Sequence, residues 1–210
     1  MLATILSILL AYLLGSVSGS LLLGALRNVD IRKAGSGNAG GTNAFRTQGF
    51  WFALGVVVID VGKGALAAGF IPHLSFPGLN QGPNPAMLSV FCGFAAVVGH
   101  SFPVWHGFRG GKGAATAVGT LCIIQPLSLI SIVLVWVLVL GLSGWVGLAT
   151  MVAGLSLIPA FVYLDEPPAQ LAYAVALAVF LLFTHRQNVR KMFRGEEYRF
   201  DKAMFRNWFS

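Results

Sequence analysis

Polar side chains suited to binding anions are concentrated in a few short segments of this otherwise apolar chain. The segments are residues 35–43, 109–113 and 185–188, followed by a basic tail. Ser, Asn, Arg, Lys and His are costly to bury in such a chain, so they mark functional positions. Glycines among them allow a backbone to approach a phosphate closely. The pattern predicts phosphate chemistry.

The first segment offers donors of several kinds. Ser36, Asn38, Thr42 and Asn43 supply hydroxyl and amide groups, and Arg46 supplies a fork suited to phosphate or carboxylate. Its glycines indicate that it does not form a stable helix by itself. The alternative is a flexible linker, but a linker does not need so dense an array of polar side chains.

The second segment, Arg109-Gly110-Gly111-Lys112-Gly113, directly precedes an apolar helix. Backbone amides at a helix N-terminus together with Lys112 predict a phosphate cradle. The P-loop spacing is absent and no strand precedes the segment, which excludes a P-loop ATPase. The alternative is that Arg109 and Lys112 serve only as charges that fix membrane topology.

The third segment places His185 and Asn188 one helical turn apart, on the same face, at the end of the last apolar stretch. Opposite two phosphate-type loops this pair predicts substrate binding, whereas a lone histidine there would be an interfacial cap. No cluster has metal-ligand spacing, and no nucleophile elbow is present. We therefore expect neither a metal nor another cofactor.

Asp60 and Lys63 form the charged pair within an apolar stretch, and their spacing puts them on one helical face. Three roles remain open: a structural buried pair, a link to a neighbouring helix, or a contact with substrate. The flanking Gly62 and Gly64 indicate close helix packing, which favours a structural role. His100 is either a hydrogen-bonded cap or part of an active-site wall.

Composition sets the class of protein. The chain has 210 residues, of which 56% are hydrophobic and 10% are charged, far below the roughly 25% charged residues of soluble domains. We expect an all-α membrane protein forming a single domain over residues 1–210. Cys92 and Cys122 lie in apolar runs and are predicted to be small hydrophobic residues.

The distribution of basic residues predicts the topology. Thirteen of the fourteen Lys and Arg residues lie in segments 27–46, 109–112 and 186–206, which the positive-inside rule assigns to the cytoplasm. The resulting parity predicts seven transmembrane helices with short polar cytoplasmic loops, the N-terminus outside and the C-terminus inside. A six-helix count would place the basic tail outside. The predicted spans are residues 2–26, 50–71, 86–99, 114–124, 126–142, 145–164 and 169–184, the fourth being half-length or tilted.

Together these residues resemble the bacterial acyl-phosphate:glycerol-3-phosphate acyltransferase family, integral membrane enzymes of phospholipid synthesis. The likeness covers nearly the whole chain. It lies in Gly15-Ser16, Asp30-Ile31-Arg32, Gly35-Ser36-Gly37-Asn38, Thr42-Asn43 with Arg46, Asp60-x-x-Lys63-Gly64, Gly99-His100 with Phe102-Pro103, Phe108 to Gly113 with Ala115-Thr116, and His185-x-x-Asn188 before Gly195 and Glu197 or its neighbour Glu196.

The resemblance implies transfer of a fatty acyl group from acyl phosphate to the 1-hydroxyl of glycerol 3-phosphate, giving lysophosphatidic acid and phosphate. It also implies a protein of the bacterial inner membrane that contacts membrane lipid and binds no nucleic acid. The catalytic set expected from it is Ser36, Arg46, Lys112, His185 and Asn188. The substrate-binding set expected from it is Asn38, Thr42, Asn43, Arg109, Gly110, Gly111 and Gly113. The proton acceptor is either His185 or a phosphate oxygen of the substrate.

The chain departs from the family pattern at several positions. The common Gly-Ser-Ile-Pro reads Gly15-Ser16-Val17-Ser18, which removes a helix-kinking proline, and Val146-Gly147 stand where a serine is frequent.

The competing functions are an anion transporter, whose cationic residues should lie at mid-bilayer, and a scaffold, which leaves two phosphate-type loops unexplained.

Overall fold

The computed structural model describes residues 1–79 and 83–207, and all regular elements in these ranges are helical. The predicted all-α class is thereby confirmed. The α-helices of the described ranges are α1 (Leu2–Gly15), α2 (Gly19–Leu26), α3 (Gly41–Gln48), α4 (Phe50–Gly69), α5 (Pro85–Ser101), α6 (Ala114–Ile124), α7 (Ser128–Ser143), α8 (Val146–Tyr163), α9 (Pro168–Thr184) and α10 (Arg186–Phe193). Two compact units divide the chain, Met1–Ile124 and Gln125–Ser210. The single domain expected over residues 1–210 stays a prediction.

Apolar helices dominate both units. Within the described residues, three helical segments are long and apolar enough to cross a membrane: Phe50–His73, Pro85–His106 and Val146–Tyr163. Counting the bent pairs α1–α2 and α9–α10 as one span each raises this number to five. The apolar helices α6 and α7 are shorter, so α6 has the half-length predicted for it. The chain is a multi-pass membrane protein. The seven-helix topology, which requires both α6 and α7 to cross, stays a prediction.

The first predicted span, residues 2–26, is not one continuous helix, although it lacks the family's proline. It bends by 46° between α1 and α2. Two glycines bring α1 against α5: a Cβ on Gly15 would lie 2.2 Å from the Ala96 carbonyl oxygen, and one on Gly99 would lie 2.3 Å from the Tyr12 oxygen. Asp60 and Lys63 of α4 form hydrogen bonds with backbone groups at the break. Tertiary contacts therefore stabilise this break without proline.

A second close approach joins α4 to α6. A Cβ on Gly64 would lie 2.2 Å from the Thr116 carbonyl oxygen, and one on Gly119 would lie 1.9 Å from the Val61 oxygen. Small residues let membrane helices pack backbone to backbone in this way. Gly62, by contrast, has nothing within 4 Å of its Cβ position. Of the two glycines beside Lys63, therefore, Gly64 makes the expected close contact and Gly62 does not.

Gly64→Ala is expected to destabilise the protein, because the new methyl group meets backbone that must move. Overpacking of this kind costs about 1–3 kcal/mol. Gly62→Ala on the same helix is the matched control and should unfold at or above the wild-type temperature. Thermal unfolding in detergent measures both, and equal melting temperatures for the two variants would contradict the tight α4–α6 contact.

In the second unit, α8 packs against α7 and α9. The predicted break at Ser143 and Gly144 is confirmed: Gly144 adopts φ +73° after α7, and its amide donates to the Leu140 oxygen at 2.7 Å. The basic tail returns to this turn. The Phe200 amide donates to the Gly144 oxygen at 2.8 Å, and Arg199 Nε donates to the Ser143 oxygen at 2.9 Å. These bonds anchor the segment after α10.

Candidate active site

Asn43 organises the first polar loop. Its side-chain nitrogen donates to the carbonyl oxygens of Ile31 at 2.9 Å and Ala34 at 3.1 Å, and its Oδ1 accepts the Ser36 amide at 2.8 Å. The side chain is buried, with 1% exposure. These three bonds hold the loop in shape and present Ser36 at the surface, and the substrate-binding role expected of Asn43 stays a prediction.

The polar segment turns helical earlier than its glycines indicated. Helix α3 begins at Gly41, so Thr42, Asn43 and Arg46 are helical residues. Thr42 and Arg46 are four residues apart and share one face. Thr42 is exposed and Arg46 is half-buried. Asn38 lies just before this helix, with its side-chain nitrogen 2.8 Å from the Cβ position of Gly40.

Arg32 ties the first loop to the second. Its guanidinium pairs with Asp30 at 2.8 Å, and its Nη1 donates to the carbonyl oxygens of His106 at 3.3 Å and Arg109 at 3.2 Å. The hydrogen bond from Arg32 holds the pKa of Asp30 at about 2.

The second loop depends on two glycines for close contacts with α5. The amides of Gly110 and Gly111 donate to the carbonyl oxygens of Ser101 at 3.2 Å and His100 at 3.1 Å. A Cβ on Gly110 would lie 2.1 Å from the His100 oxygen, and one on Gly111 would lie 2.0 Å from His100 Nε2. Both glycines thus allow the loop to lie against α5. The substrate-binding role expected of them stays a prediction.

The other candidate anion-binding groups of this loop are the exposed Arg109, Lys112 and the start of α6. Lys112 is half-buried and Gly113 adopts φ +90°. The Ala117 amide donates to the Gly113 oxygen at 2.8 Å, so the amides of residues 114–116 precede the helical hydrogen-bond ladder. A cation beside the positive end of a helix dipole favours a phosphate. The segment also approaches the first loop, since the Cβ position of Gly111 lies 2.9 Å from the Ala39 oxygen.

His185 ends α9 in the second unit and is buried, with 5% exposure. Its Nδ1 lies 2.8 Å from the Leu181 carbonyl oxygen, which can only accept a hydrogen bond. Nδ1 therefore carries a proton, and in the neutral ring Nε2 carries the lone pair. In this tautomer Nε2 of His185 can accept a proton.

Asn188 lies in the first turn of α10, as the predicted spacing requires. Its side-chain nitrogen donates to Glu197 Oε1 at 2.7 Å, which identifies Glu197 and not Glu196 as its partner. Gly147 makes room for it: a Cβ there would lie 2.8 Å from the Asn188 side-chain nitrogen. The residue found in place of the family's frequent serine is therefore a packing partner of Asn188.

Asp60, Lys63 and His100 form a buried cluster that the sequence resolved only as a pair and a separate histidine. Lys63 Nζ lies 2.9 Å from Asp60 Oδ1 and 2.8 Å from His100 Nδ1, and it donates to the Val17 oxygen at 2.6 Å. Asp60 Oδ1 also accepts the Gly19 amide at 3.1 Å. The pair thus links α4 to the α1–α2 break, one of the alternatives left open by its spacing.

The first unit therefore places Ser36 and Asn38 on a loop that contacts the Arg109–Gly113 segment, and Thr42 and Arg46 on the helix that follows this loop. The second unit carries His185 and Asn188. Among the described residues, no group of three or more His, Cys, Asp and Glu side chains could hold a metal ion. Arg32 and Glu197 escaped a functional assignment from the sequence, because only their tertiary partners distinguish them from surface charges.

This fold and site define a class: a multi-pass helical membrane protein whose polar loops are suited to phosphate. A family model described as Glycerol-3-phosphate acyltransferase matches residues 5–195. Proteins of that name from Chlorobaculum tepidum and Symbiobacterium thermophilum are 37% and 38% identical to this chain. The first covers 91% of this chain and 94% of its own length, and the second covers 91% and 92%.

Two solved structures are also similar to this chain. The crystal structure of PlsY (YgiH), an integral membrane glycerol 3-phosphate acyltransferase, in its glycerol 3-phosphate form has a TM-score of 0.81 and 30% identity, covering 94% of this chain and 95% of that one. Its lysophosphatidic acid form has a TM-score of 0.79 and 31% identity, covering 93% and 94%. The chain belongs to the glycerol-3-phosphate acyltransferase family.

Proposed function

We propose that this protein transfers a fatty acyl group from acyl phosphate to the 1-hydroxyl of glycerol 3-phosphate. The products are lysophosphatidic acid and inorganic phosphate, which makes the reaction the first acylation of phospholipid synthesis. Both substrates carry a phosphate, and the reaction must hold the two anions close together. The substrate named for PlsY and the family membership of this chain support the acceptor.

One observation carries the proposal: two loops of phosphate-binding character touch each other. Arg32 of the first loop donates to carbonyl oxygens at His106 and Arg109 of the second, and Gly111 approaches Ala39. Two adjacent cationic loops suit a reaction between two anionic substrates. Positioning and charge stabilisation are sufficient here, because phosphate is already a good leaving group.

The residues divide by chemistry. Lys112, with the start of α6, would bind the phosphoryl group of the acyl donor and stabilise the leaving phosphate. Arg46 would bind the acceptor's phosphate through its fork, with Thr42 on the same face. Ser36 and Asn38 would orient the attacking hydroxyl. Gly110, Gly111 and Asn43 keep these groups in place.

His185 and Asn188 are proposed to contact substrate phosphate from the second unit. Two proton acceptors remain for the attacking hydroxyl. One is His185 Nε2, the acceptor atom of the neutral ring once Nδ1 bonds Leu181. The other is a phosphate oxygen of the substrate. His185→Gln distinguishes them, because a base lost from the protein changes the pH profile of kcat, whereas substrate assistance retains it.

The direct test incubates purified protein with acyl phosphate and glycerol 3-phosphate and measures phosphate release and lysophosphatidic acid. Release should require both substrates. Release without glycerol 3-phosphate would identify a phosphatase, and transport into vesicles without a lipid product would identify an anion transporter. Acyl-CoA in place of acyl phosphate tests the donor.

Transfer is expected to be direct, with no acyl-enzyme. Ser36 is the tempting nucleophile, yet among the described residues of the first unit its hydroxyl bonds no histidine or carboxylate that would activate it. Labelled acyl phosphate given alone should leave no label on denatured protein, and Ser36→Ala should slow the reaction without changing its kinetic order. An adduct at Ser36 or ping-pong kinetics would contradict this expectation.

The proposed topology has the N-terminus outside and the C-terminus in the cytoplasm of the bacterial inner membrane. The contact between the loops at 30–46 and 106–113 supports one shared side for them. A single cysteine at Asn207, with Cys92 and Cys122 replaced, should resist an impermeant thiol reagent in intact cells and react after lysis. Labelling in intact cells would reverse the orientation.

A further inference from the structure

The buried cluster of Asp60, Lys63 and His100 is not used by the proposed reaction, yet it links several elements of the first unit. The three side chains are 0%, 4% and 2% exposed. An ammonium has three donors. Lys63 Nζ meets three acceptors: Asp60 Oδ1, the Val17 oxygen and His100 Nδ1.

A hydrogen bond from Lys63 to Nδ1, which also lies 3.4 Å from Asp60 Oδ1, would assign the tautomer of His100. If Lys63 uses its third proton on Nδ1, that nitrogen must accept, and the ring is neutral with its own proton on Nε2. Nε2 lies at Gly111, whose Cβ position is 2.0 Å away. The carbonyl oxygen of the same histidine accepts the Gly111 amide at 3.1 Å. His100 therefore touches the glycine loop with its ring and with its backbone.

The cluster also bonds the broken first span. In an unbroken helix, the Gly19 amide and the Val17 carbonyl would find partners within the helix itself. Here Asp60 and Lys63 supply those partners. One set of side chains thus joins the α1–α2 break, the middle of α4, the end of α5 and the Gly110–Gly111 backbone.

We propose that Asp60, Lys63 and His100 are positioning residues that hold the Gly110–Gly111 backbone in the conformation from which Lys112 and the start of α6 bind the phosphoryl group of the acyl donor. They touch no substrate themselves. The inference rests on the proposed function for its substrate, and it extends that function by separating donor binding from acceptor binding. Breaking the link should weaken use of the donor and leave use of the acceptor intact.

Two variants of His100 each remove one of its two contacts, with Gly111 or with Lys63. His100→Asn retains an acceptor for Lys63 and loses the ring against Gly111. His100→Phe retains a ring and loses the acceptor. Both should raise KM for acyl phosphate by about tenfold or more and change KM for glycerol 3-phosphate by less than about threefold. A merely structural loss lowers the amount of active enzyme and moves neither KM. Gly62→Ala, with open space at its Cβ, is the matched control.

Hydrogen exchange provides a readout independent of activity. The amides of Gly110 and Gly111 should exchange faster in both His100 variants and at the wild-type rate in Gly62→Ala. If the wild-type protein shows no acyl transfer, the proposed function fails, and the exchange result alone decides the positioning role. Folded variants with unchanged KM for acyl phosphate, in an active protein, would overturn the inference, as would unchanged exchange.

If neither variant folds, the wild-type protein still tests the arrangement. ¹⁵N NMR of histidine-labelled protein should give His100 an unprotonated Nδ1 and a protonated Nε2, with assignment by substitution of His73, His106 and His185. A doubly protonated His100 would leave Lys63 without this acceptor and overturn the proposed hydrogen bond between Lys63 and His100.

Discussion

Replacement of Lys112 by alanine is expected to lower the rate of acyl transfer by about 30- to 1000-fold while the protein still folds. A lost charge-assisted contact to phosphate is worth about 2–4 kcal/mol, which corresponds to that range in rate. Lys112 precedes α6, where the helix dipole also favours an anion. Steady-state kinetics with varied acyl phosphate measures the effect.

Arg46→Ala should cause a loss of similar size, seen mainly with varied glycerol 3-phosphate. Lys33→Ala is the control for the removal of one positive charge, because Lys33 is an exposed residue of the same loop. Its activity should stay within about threefold of wild type, since an exposed charge is screened by solvent and salt. Near-normal turnover of a folded Lys112 or Arg46 variant would remove that residue from the site.

The second large effect is expected at Gly110. An added methyl group would lie 2.1 Å from the His100 carbonyl oxygen and 2.6 Å from Pro103 Cδ, so the loop must shift. The shift would break the hydrogen bonds that the Gly110 and Gly111 amides donate to α5, and it would displace Lys112. Because a displacement of about 1 Å in a positioned site can cost about 100-fold in rate, Gly110→Ala should lose activity to at least that extent.

Gly107→Ala is the control in the same loop. Gly107 adopts φ +64° with nothing within 4 Å of its Cβ position, so alanine there meets strain but no clash. We expect a cost in stability of about 1–2 kcal/mol and nearly unchanged kinetics of the folded protein. Equal kinetic losses at Gly107 and Gly110 would indicate that loop flexibility, and not contact with His100, limits the reaction.

Several local features could be predicted from sequence. Helices α4, α5, α8 and α9 follow from apolar runs bounded by turns, and the α7–α8 break follows from Ser143 and Gly144. The candidate site could be predicted because a charged side chain is costly to bury in so apolar a chain, so Arg46 and Lys112 mark functional positions.

Partners distant in sequence could not be predicted. The break after Gly15 depends on α5 and on Asp60 and Lys63, not on a proline. The sequence does not distinguish an Asn43 that bonds a substrate from one that bonds the loop backbone. Only the fold brings its side chain to Ile31, Ala34 and Ser36.

The sequence by itself thus determined the membrane class, most helices and the polar residues that chemistry requires. Hydropathy and residue type act locally, and the cost of burying a polar group does not depend on which partner compensates it. The tertiary structure alone decided which groups face one another: Arg32 with the second loop, Lys63 with His100, and the glycine amides with α5. A hydrogen bond requires its two atoms within about 3 Å, and only the packing of helices brings residues so far apart in sequence to that distance.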